Sequence, residues 1–298
     1  MASAELAGLI EGLRSNGPDL VAPPEAVRIA FEAMLATIPF ADDLASEPVD
    51  LGGVSGFRFA SPQAAADSAL LYLHGGAYVI GSATGYRSLA AELGRACGAV
   101  TYAIDYRLAP EHPFPAAIED AVAAYRGLLA RGIAPQRIVI AGDSAGGGLT
   151  LALLAALRDA GAALPAAALL ISPWADLSCT AGTITSKAAD DPTLTADGLR
   201  VNAAHYLHGA DPRAPGASPV FADFTGLPPL LVQVGSAEIL LDDAVAVARA
   251  AGHAGVAVQL AIWPEMIHVW HAFAFMLPEG RAAIAQAGAF LAGHLGNA

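Results

Sequence analysis

The sequence predicts an α/β fold, in which a mostly parallel, doubly wound sheet is covered by helices, and three observations support this prediction. Short β-branched and aliphatic runs alternate with longer helical patterns along most of the 298 residues. In the central run, Ile138, Val139 and Ile140 are apolar without alternation, as expected of a strand that is covered on both faces. The series stops after Ala175 and resumes near Leu230, which indicates an insertion into a continuing sheet.

Two amphipathic helical patterns come first in the chain, within residues 6–13 and 27–38, and neither belongs to the sheet series. Strands are predicted after them over residues 49–59, 69–73, 99–104, 138–140, 167–172, 230–234 and 256–262. Helices are predicted over residues 89–97, 116–130, 149–157, 199–207, 242–251 and 281–295. Because a helix separates most successive strands, the strands are expected to run parallel.

Charge and composition argue against two kinds of partner. The formal net charge of −13 repels a phosphate backbone, so nucleic acid is not an expected partner. The chain is 55% hydrophobic, but Arg158, Asp159 and Pro165 interrupt its most apolar region, residues 149–175, before it could span a membrane. Stable membrane insertion is therefore not expected.

The N-terminus and the cysteines predict the cellular compartment. The first 17 residues carry Glu5 and Glu11 and lack the basic stretch and apolar core of a signal peptide, so a cytoplasmic location is expected. Cys97 and Cys179 are far apart in the chain and belong to no CxxC pattern. This spacing favours reduced, structural thiols.

A glycine-rich turn at residues 142–146 contains the candidate nucleophile. Its sequence, GDSAG, fits G-x-S-x-G, in which a strained turn between a strand and a helix holds a serine hydroxyl clear of the sheet. A phosphate-binding loop also joins a strand to a helix and is the alternative. It is disfavoured because no Gly-Lys-Ser/Thr closes the loop and the glycines at 146–148 are consecutive. Ser144 is therefore the candidate nucleophile.

A second glycine-bearing turn, HGGA from residue 74, directly follows the second predicted strand. Glycines at such a position can turn backbone N–H groups toward the space above Ser144. We expect the N–H groups of Gly75 and Gly76, with that of Ala145, to form an oxyanion hole. The alternative is an ordinary strand-ending turn, and His74 itself is expected to be structural.

The general base is expected late in the chain, because serine hydrolases with this turn place it after the last strand. His268 and His271 both qualify. His268 is favoured, since it lies in a loop soon after the strand whereas His271 could already belong to a helical turn. The pair also matches the metal-binding spacing H-x-x-H, but no third ligand cluster accompanies it. Neither a metal nor an organic cofactor is expected.

An acid is needed to orient the base, and three carboxylates compete for that role. Glu238 lies at the end of the strand at residues 230–234. Asp242 and Asp243 fit the first turn of the next helix, where carboxylates offset the helix dipole for structural reasons. Glu238 is favoured, and Asp242 is the alternative.

With these residues in place, the sequence resembles the hormone-sensitive-lipase-like branch of the α/β-hydrolases, particularly its bacterial esterases. The resemblance spans most of the chain. It is carried by HGGA from residue 74, DYRLAPEHPFPAA from 105, GDSAGG from 142, GSAEILLDD from 235 and MIHVW from 266. Two positions depart from the family pattern: Ala77 replaces a common glycine, and Glu238 stands where most relatives carry aspartate.

The resemblance implies a serine carboxylesterase that hydrolyses short- to medium-chain acyl esters through Ser144, His268, Glu238 and an acyl-enzyme. The same triad would serve an amidase or a lactonase. A non-catalytic small-molecule receptor on this scaffold is a further alternative, although such receptors lose the histidine that is present here as His268.

The resemblance also implies an arrangement of domains. Residues 1–46 and 176–219 would form a cap over a catalytic domain made of residues 47–175 and 220–298. Asp105 and Arg107 would belong to a buried ion-pair network. Homodimers are expected, through the last strand or neighbouring helices.

Overall fold

One sheet of eight strands forms the centre of the computed structural model, which describes residues 3–296. The strands are β1 (Ala45–Leu51), β2 (Val54–Ala60), β3 (Ala65–Leu73), β4 (Ala99–Ile104), β5 (Ile138–Asp143), β6 (Ala167–Ile171), β7 (Leu230–Gly235) and β8 (Val258–Trp263). Their order is β1-β2-β4-β3-β5-β6-β7-β8. The pairs β1 with β2 and β2 with β4 are antiparallel, and the pairs from β4 to β8 are parallel. The predicted fold class is confirmed.

Within the described residues, α-helices pack on both faces of this sheet and also form segments outside it. They are α1 (Ala4–Asn16), α2 (Pro24–Leu35), α3 (Arg87–Cys97), α4 (Ala116–Ala130), α5 (Ala145–Asp159), α6 (Thr183–Ser186), α7 (Ala196–Leu207), α8 (Leu241–His253) and α9 (Pro278–His294). Helices α4, α5 and α8 pack on one face, and α3 and α9 on the other. In β3, Leu71 and Leu73 point to the first layer while Leu70 and Tyr72 point to the second, as the two-residue period of a strand requires.

The prediction of a single strand over residues 49–59 is wrong, because a hairpin forms there. β1 ends at Leu51, β2 begins at Val54, and Gly52 and Gly53 make the turn between them. Their φ values of 66° and 91° lie in the left-handed region that two-residue hairpin turns favour and glycine adopts without strain. The first strand, ASEPVDL, contains few strand-forming residues, so it was not recognised, and the Gly52-Gly53 pair was not used as a hairpin signal.

The central turn is tighter than the sequence predicted. β5 continues through Asp143 and α5 begins at Ala145, so Ser144 alone joins the strand to the helix. At Gly146 a Cβ atom would lie 1.9 Å from the Leu73 carbonyl oxygen. The glycine is therefore needed for α5 to start directly against the end of β3.

Two segments outside the sheet lie against the loops at the carboxyl ends of the strands. In α1, Leu6 packs in one cluster with Trp270, close to the predicted base. The segment of residues 176–219 contains α6 and α7. Asn202 of α7 donates a hydrogen bond to the Leu20 carbonyl oxygen at 3.0 Å, which joins the two segments.

Arg28 of α2 attaches the N-terminal helices to the loops that follow β3 and β4. Its guanidinium donates to the carbonyl oxygens of Val79 and Ala109, each at 2.8 Å. It also makes a bidentate pair with Glu111 at 2.7 Å. The hydrogen bond from Arg28 lowers the pKa of Glu111 to about 2.

The expectation that Asp105 and Arg107 share a buried ion-pair network is wrong. Asp105 accepts a hydrogen bond from the Ala83 N–H at 2.7 Å. Arg107 pairs with Asp120 at 2.8 Å and Glu119 at 2.9 Å, and 42% of its side chain is exposed. The two residues serve different loops, because Asp105 holds the turn before α3 whereas Arg107 holds the start of α4.

Two predictions made from composition concern the cysteines and membrane insertion. Cys97 and Cys179 are both buried and free of disulfides, as predicted. Within residues 3–296 the helices are either too short or too polar to cross a membrane.

Candidate active site

Ser144 occupies the turn between β5 and α5 in a conformation that residues other than glycine rarely adopt. Its φ is 52° and its ψ is −120°. Such strain persists only where the surroundings hold the backbone in place. The Ser144 N–H donates to the Ile171 carbonyl oxygen at 2.8 Å, and the Ser144 carbonyl accepts from the Trp174 N–H at 2.9 Å. The strained turn that the motif predicts is therefore present.

The structure brings Glu238 and His268 into direct contact. Glu238 Oε2 lies 2.8 Å from His268 Nδ1, and both side chains are buried. Because an ionised carboxylate only accepts hydrogen bonds, Nδ1 carries a proton and donates it to Glu238. In the neutral imidazole, Nε2 is then the nitrogen with a free lone pair, as a general base requires.

Two further donors hold the Glu238 carboxylate. Ser172 Oγ donates to Oε1 at 2.8 Å, and the Gly235 N–H donates to the same oxygen at 2.7 Å. Ser172 follows β6 with a φ of 45°, and its hydroxyl also accepts from the Val269 N–H at 3.3 Å. Ser172 was not among the predicted site residues, although a polar residue directly after an apolar strand was a signal for it.

Neighbouring charges set the basicity of His268. Burial by itself would lower the pKa of this imidazole, but the hydrogen bond and charge of Glu238 outweigh burial. The charges of Asp191 and Asp143 act in the same direction as Glu238, and the pKa of His268 is raised above its ordinary value. A proton that arrives on Nε2 is therefore stabilised.

The other candidates for base and acid make different contacts. His271 Nε2 lies 2.9 Å from Gln233 Oε1, and burial lowers the pKa of His271 to about 3, so this imidazole is neutral. Asp242 Oδ2 accepts from the Thr183 N–H at 2.9 Å. Asp243 Oδ2 accepts two backbone N–H groups of the segment after β6, each at 2.9 Å. Both aspartates thus fix loops around the start of α8.

The N–H groups in the turn after β3 differ in whether they are available as hydrogen-bond donors. The Gly75 N–H donates to Asp143 Oδ1 at 2.9 Å. Since a backbone N–H carries one hydrogen, this group is not free to bind an oxyanion, and the expectation for Gly75 is corrected. In the described part of the chain, the N–H groups of Gly76, Ala77 and Ala145 donate to no acceptor. Gly76 and Ala145 remain candidates, and Ala77 joins them.

Asp143 links the serine turn to this loop, a role that the sequence analysis did not assign. Its side chain is fully buried, and Oδ1 accepts the Tyr72 hydroxyl at 2.5 Å in addition to the Gly75 N–H. Burial raises the pKa of Asp143 to about 6, although the Tyr72 hydrogen bond and the nearby His268 partly offset this effect.

His74 stabilises the same loop from its other side. Nδ1 donates to the Gly75 carbonyl oxygen at 2.7 Å, and the ring stacks on Tyr106 with centroids 4.3 Å apart. Burial lowers the pKa of His74 to about 4, so the ring is neutral. These contacts agree with the structural role expected from the sequence.

Ser144 and His268 line one cavity of about 270 Å³, together with Gly76 and Ala77. Its remaining walls are mainly apolar and come mostly from residues 13–38 and 192–199, with Ile80, Tyr86 and residues 269–273 completing them. The apolar side chains that line the cavity include those of Leu13, Phe31, Met34, Leu194 and Leu199. Within residues 3–296, no three His, Cys, Asp or Glu side chains are grouped to hold a metal ion.

The fold and this site define a class of protein. A family model described as alpha/beta hydrolase fold matches residues 70–272. The chain therefore belongs to the α/β-hydrolases, in which a serine turn of this kind follows a central strand of the sheet.

Individual relatives narrow this class. A solved structure of an esterase from the bacterial hormone-sensitive lipase family superposes with a TM-score of 0.96 at 47% identity, over 99% of this chain and 100% of that one. An acetyl-hydrolase of Streptomyces hygroscopicus is 58% identical over 222 residues, 74% of each chain. An esterase of Acinetobacter venetianus is 35% identical over 268 residues, 90% of this chain and 88% of that one. The chain belongs to the bacterial hormone-sensitive lipase family and is a carboxylic ester hydrolase, as the resemblance predicted.

Proposed function

We propose that the chain hydrolyses short- to medium-chain acyl esters through Ser144, His268 and Glu238. The observation that carries this proposal is the 2.8 Å hydrogen bond between His268 Nδ1 and Glu238, which leaves Nε2 of His268 free. His268 lines the same cavity as Ser144. A base of fixed tautomer beside a strained serine is the arrangement that acyl transfer requires.

The reaction begins when Ser144 Oγ attacks the ester carbonyl carbon and its proton passes to His268 Nε2. The carbonyl oxygen becomes an oxyanion, which accepts hydrogen bonds from the N–H groups of Gly76, Ala77 and Ala145. When the tetrahedral intermediate collapses, the alcohol leaves with the proton from Nε2 and the acyl group remains on Ser144. Water then attacks the acyl-enzyme, with His268 as base, and the carboxylic acid is released.

Glu238 serves this cycle by holding the tautomer and stabilising the imidazolium. The extra methylene, compared with aspartate, is accommodated because Glu238 lies within a turn between β7 and α8. Ser172 and the Gly235 N–H orient its other oxygen. A glutamate can therefore supply the same carboxylate geometry here.

Residues 1–46 and 176–219 act in this proposal as a cap that bounds the acyl site. Apolar side chains from both segments line the cavity, whose volume is about 270 Å³. Each methylene buried there contributes about 0.8 kcal/mol until the cavity is full. Acyl chains of about two to eight carbons are the expected substrates. The 58% identity to a protein named an acetyl-hydrolase supports the short end of that range.

Covalent labelling tests the nucleophile. A sulfonyl fluoride or organophosphate should add one group to the intact mass of the wild-type protein, and the adduct should map to Ser144. Ser144→Ala should not react. A second adduct, or unchanged labelling of the variant, would contradict the assignment.

A series of aryl esters tests the acyl preference. The value of kcat/KM should rise with chain length and then fall once the cavity is filled. A continued rise past about twelve carbons would contradict a closed acyl site. Matched amides and lactones in the same assays would show whether the triad prefers another leaving group.

The homodimer and the cytoplasmic location remain predictions. In support of the dimer, β8 lies at one end of the sheet, where edge strands often pair, and Ile262 on it is half-exposed. Light scattering after size-exclusion chromatography would measure the molar mass, and a mass of one chain would contradict the dimer.

A further inference from the structure

Asp191, in the segment of residues 176–219, is a buried carboxylate that the mechanism above does not use. Its Oδ1 accepts the N–H and the hydroxyl of Thr193 and the N–H of Leu194, each at 2.9 Å. Its Oδ2 accepts the N–H of Ile239 at 3.0 Å. Only 7% of the residue is exposed. In the described residues no Lys, Arg or His forms an ion pair with it.

The two oxygens of Asp191 hold two different parts of the site. The loop bonded to Oδ1, residues 192–195, forms one wall of the cavity that contains Ser144. Ile239, bonded to Oδ2, is fully buried and directly follows Glu238. One side chain therefore connects the wall of the acyl site to the loop that carries the proposed triad acid.

The Ile239 backbone is held from the inserted segment on both sides. Its N–H donates to Asp191, and its carbonyl accepts the Thr183 hydroxyl at 2.9 Å. An asparagine in place of Asp191 could still accept the donors of Thr193 and Leu194 with its single oxygen. Its NH₂ group would then face the Ile239 N–H, and two donors cannot form a hydrogen bond with each other. A carboxylate is needed because donors approach both oxygens.

We propose that Asp191 is a positioning residue for ester hydrolysis, which couples the cavity wall at residues 192–195 to the alignment of Glu238 with His268. The proposal rests on the triad proposed above. Contacts between the acyl group and residues 192–195 are then transmitted to the Glu238 loop through one carboxylate. The charge of Asp191 also acts on His268, as do those of Glu238 and Asp143, while the neighbouring His271 is neutral.

The test is Asp191→Asn, with Asp211→Asn as the matched control. Asp211 also lies in the inserted segment and accepts one backbone N–H, that of Arg213 at 2.9 Å, but it is exposed and does not line the cavity. Asp191→Asn should lower kcat about tenfold on a short aryl ester and raise KM, because one charged hydrogen bond is lost between wall and loop. Asp211→Asn should match the wild type.

The pH profile separates a positioning role from a general loosening. Since the charge of Asp191 raises the pKa of His268, its removal should move the acidic limb of kcat/KM to lower pH. A fall in kcat with the limb unmoved would mean a structural effect only and would overturn the proposal. Kinetics equal to those of Asp211→Asn would overturn it as well.

Two controls keep the result interpretable. If a sulfonyl fluoride fails to label Ser144 in the wild type, the proposed triad fails, whereas normal labelling with unchanged Asp191→Asn kinetics refutes the coupling alone. If Asp191→Asn does not fold, Thr193→Val removes just one of the bonds to Oδ1. It should lower kcat about threefold, and an unchanged kcat would then overturn the proposal.

Discussion

Two regions meet at the cavity and are held together by different kinds of contact. The strand-end loops are residues 74–77, 142–146, 235–240 and 266–269, and the cover consists of α1, α2 and residues 176–219. The loops are joined by buried hydrogen bonds, such as those from Gly75 to Asp143 and from His268 to Glu238. The cover meets the cavity mainly through apolar side chains. Outside the cavity it is attached by Arg28, partly through an ion pair to a half-exposed carboxylate, and by hydrogen bonds of Asp191 and Thr183 to Ile239.

The difference matters because buried hydrogen bonds and apolar contacts respond differently to change. Removing one partner of a buried hydrogen bond leaves the other without its bond, at a cost of about 1–3 kcal/mol. Apolar walls tolerate a change of size if the volume is roughly kept. We therefore expect variants in the strand-end loops to change kcat, as should variants of Asp191, which is hydrogen-bonded to one of these loops. Variants of the apolar side chains in the cover should change which acyl group is accepted.

The largest effect is expected for Glu238→Gln. The amide cannot hold the imidazolium and favours the wrong tautomer of His268, so kcat should fall by up to about 10⁴-fold. The variant should fold normally, because the amide oxygen can still accept the donors at Ser172 and Gly235. Steady-state kinetics and thermal unfolding measure the two effects, and a variant with near-normal kcat would remove Glu238 from the triad.

The next effect is expected for Asp143→Ala, which tests whether a residue that does not touch the substrate sets the oxyanion loop. Both the Gly75 N–H and the Tyr72 hydroxyl donate to Asp143 Oδ1, and alanine can accept neither. We expect kcat to fall about 10²-fold, which is the loss typical of one oxyanion donor, with KM little changed. Asp243→Ala, at another buried aspartate, should keep most of its kcat.

The same pair of variants tests how pH affects stability. The pKa of Asp143 in the folded protein is about 6, above the usual 3.8, so the folded state binds this proton more tightly than the unfolded chain does. Its contribution to the free energy of unfolding is present below about pH 4 and is lost as the pH rises through 6. Both variants should therefore gain stability relative to the wild type as the pH rises, since the pKa of Asp243 is raised to about 7. If these carboxylates were ionised throughout that range, thermal unfolding would show no pH-dependent difference between the variants and the wild type.

The sequence predicts the order of most elements, and it allowed candidate site residues to be chosen at the strand ends. Ser144, Glu238 and His268 could be chosen because strand-turn-helix units and chain order restrict where a nucleophile, an acid and a base can stand. The hairpin at residues 45–60 was missed because its first strand, ASEPVDL, has few strand-forming residues, although Gly52-Gly53 is a hairpin-turn signal.

The supporting contacts could not be predicted, because they depend on side chains that are distant in sequence. Ser172 and Glu238 are 66 residues apart, and Asp143 and Gly75 are 68 apart. Nothing in either local pattern reveals its partner. The hydrogen bond from the Gly75 N–H to Asp143 is one of these contacts. Because the local sequence does not reveal it, Gly75 was expected to bind the oxyanion.

A smaller effect is expected when the cover is changed, for example by Leu199→Ala. Leu199 lies on α7, is buried and lines the cavity. The shorter side chain should move the optimum of kcat/KM to longer acyl groups, by about fourfold for each additional methylene that the enlarged cavity accepts. Leu207→Ala is the matched control, since Leu207 is buried on the same helix but does not line the cavity. If both variants shifted the optimum equally, a general loosening of the cover would be responsible.

The smallest effect on activity is expected for Asp242→Asn, which separates the two carboxylate roles beside the site. Asp242 stands in the first turn of α8, where a negative charge contributes about 1 kcal/mol to stability, and its Oδ2 accepts the Thr183 N–H at 2.9 Å. The variant should keep most of its kcat and lose about 2–4 °C in Tm, measured in the same assays as Glu238→Gln. The two substitutions should therefore differ in kind, one removing activity with little loss of stability and the other the reverse. If Asp242→Asn instead abolished activity while Glu238→Gln kept it, the triad acid would be Asp242. Equal losses in both would mean that the carboxylates act as one network and that the division between catalytic loops and structural supports fails at this position.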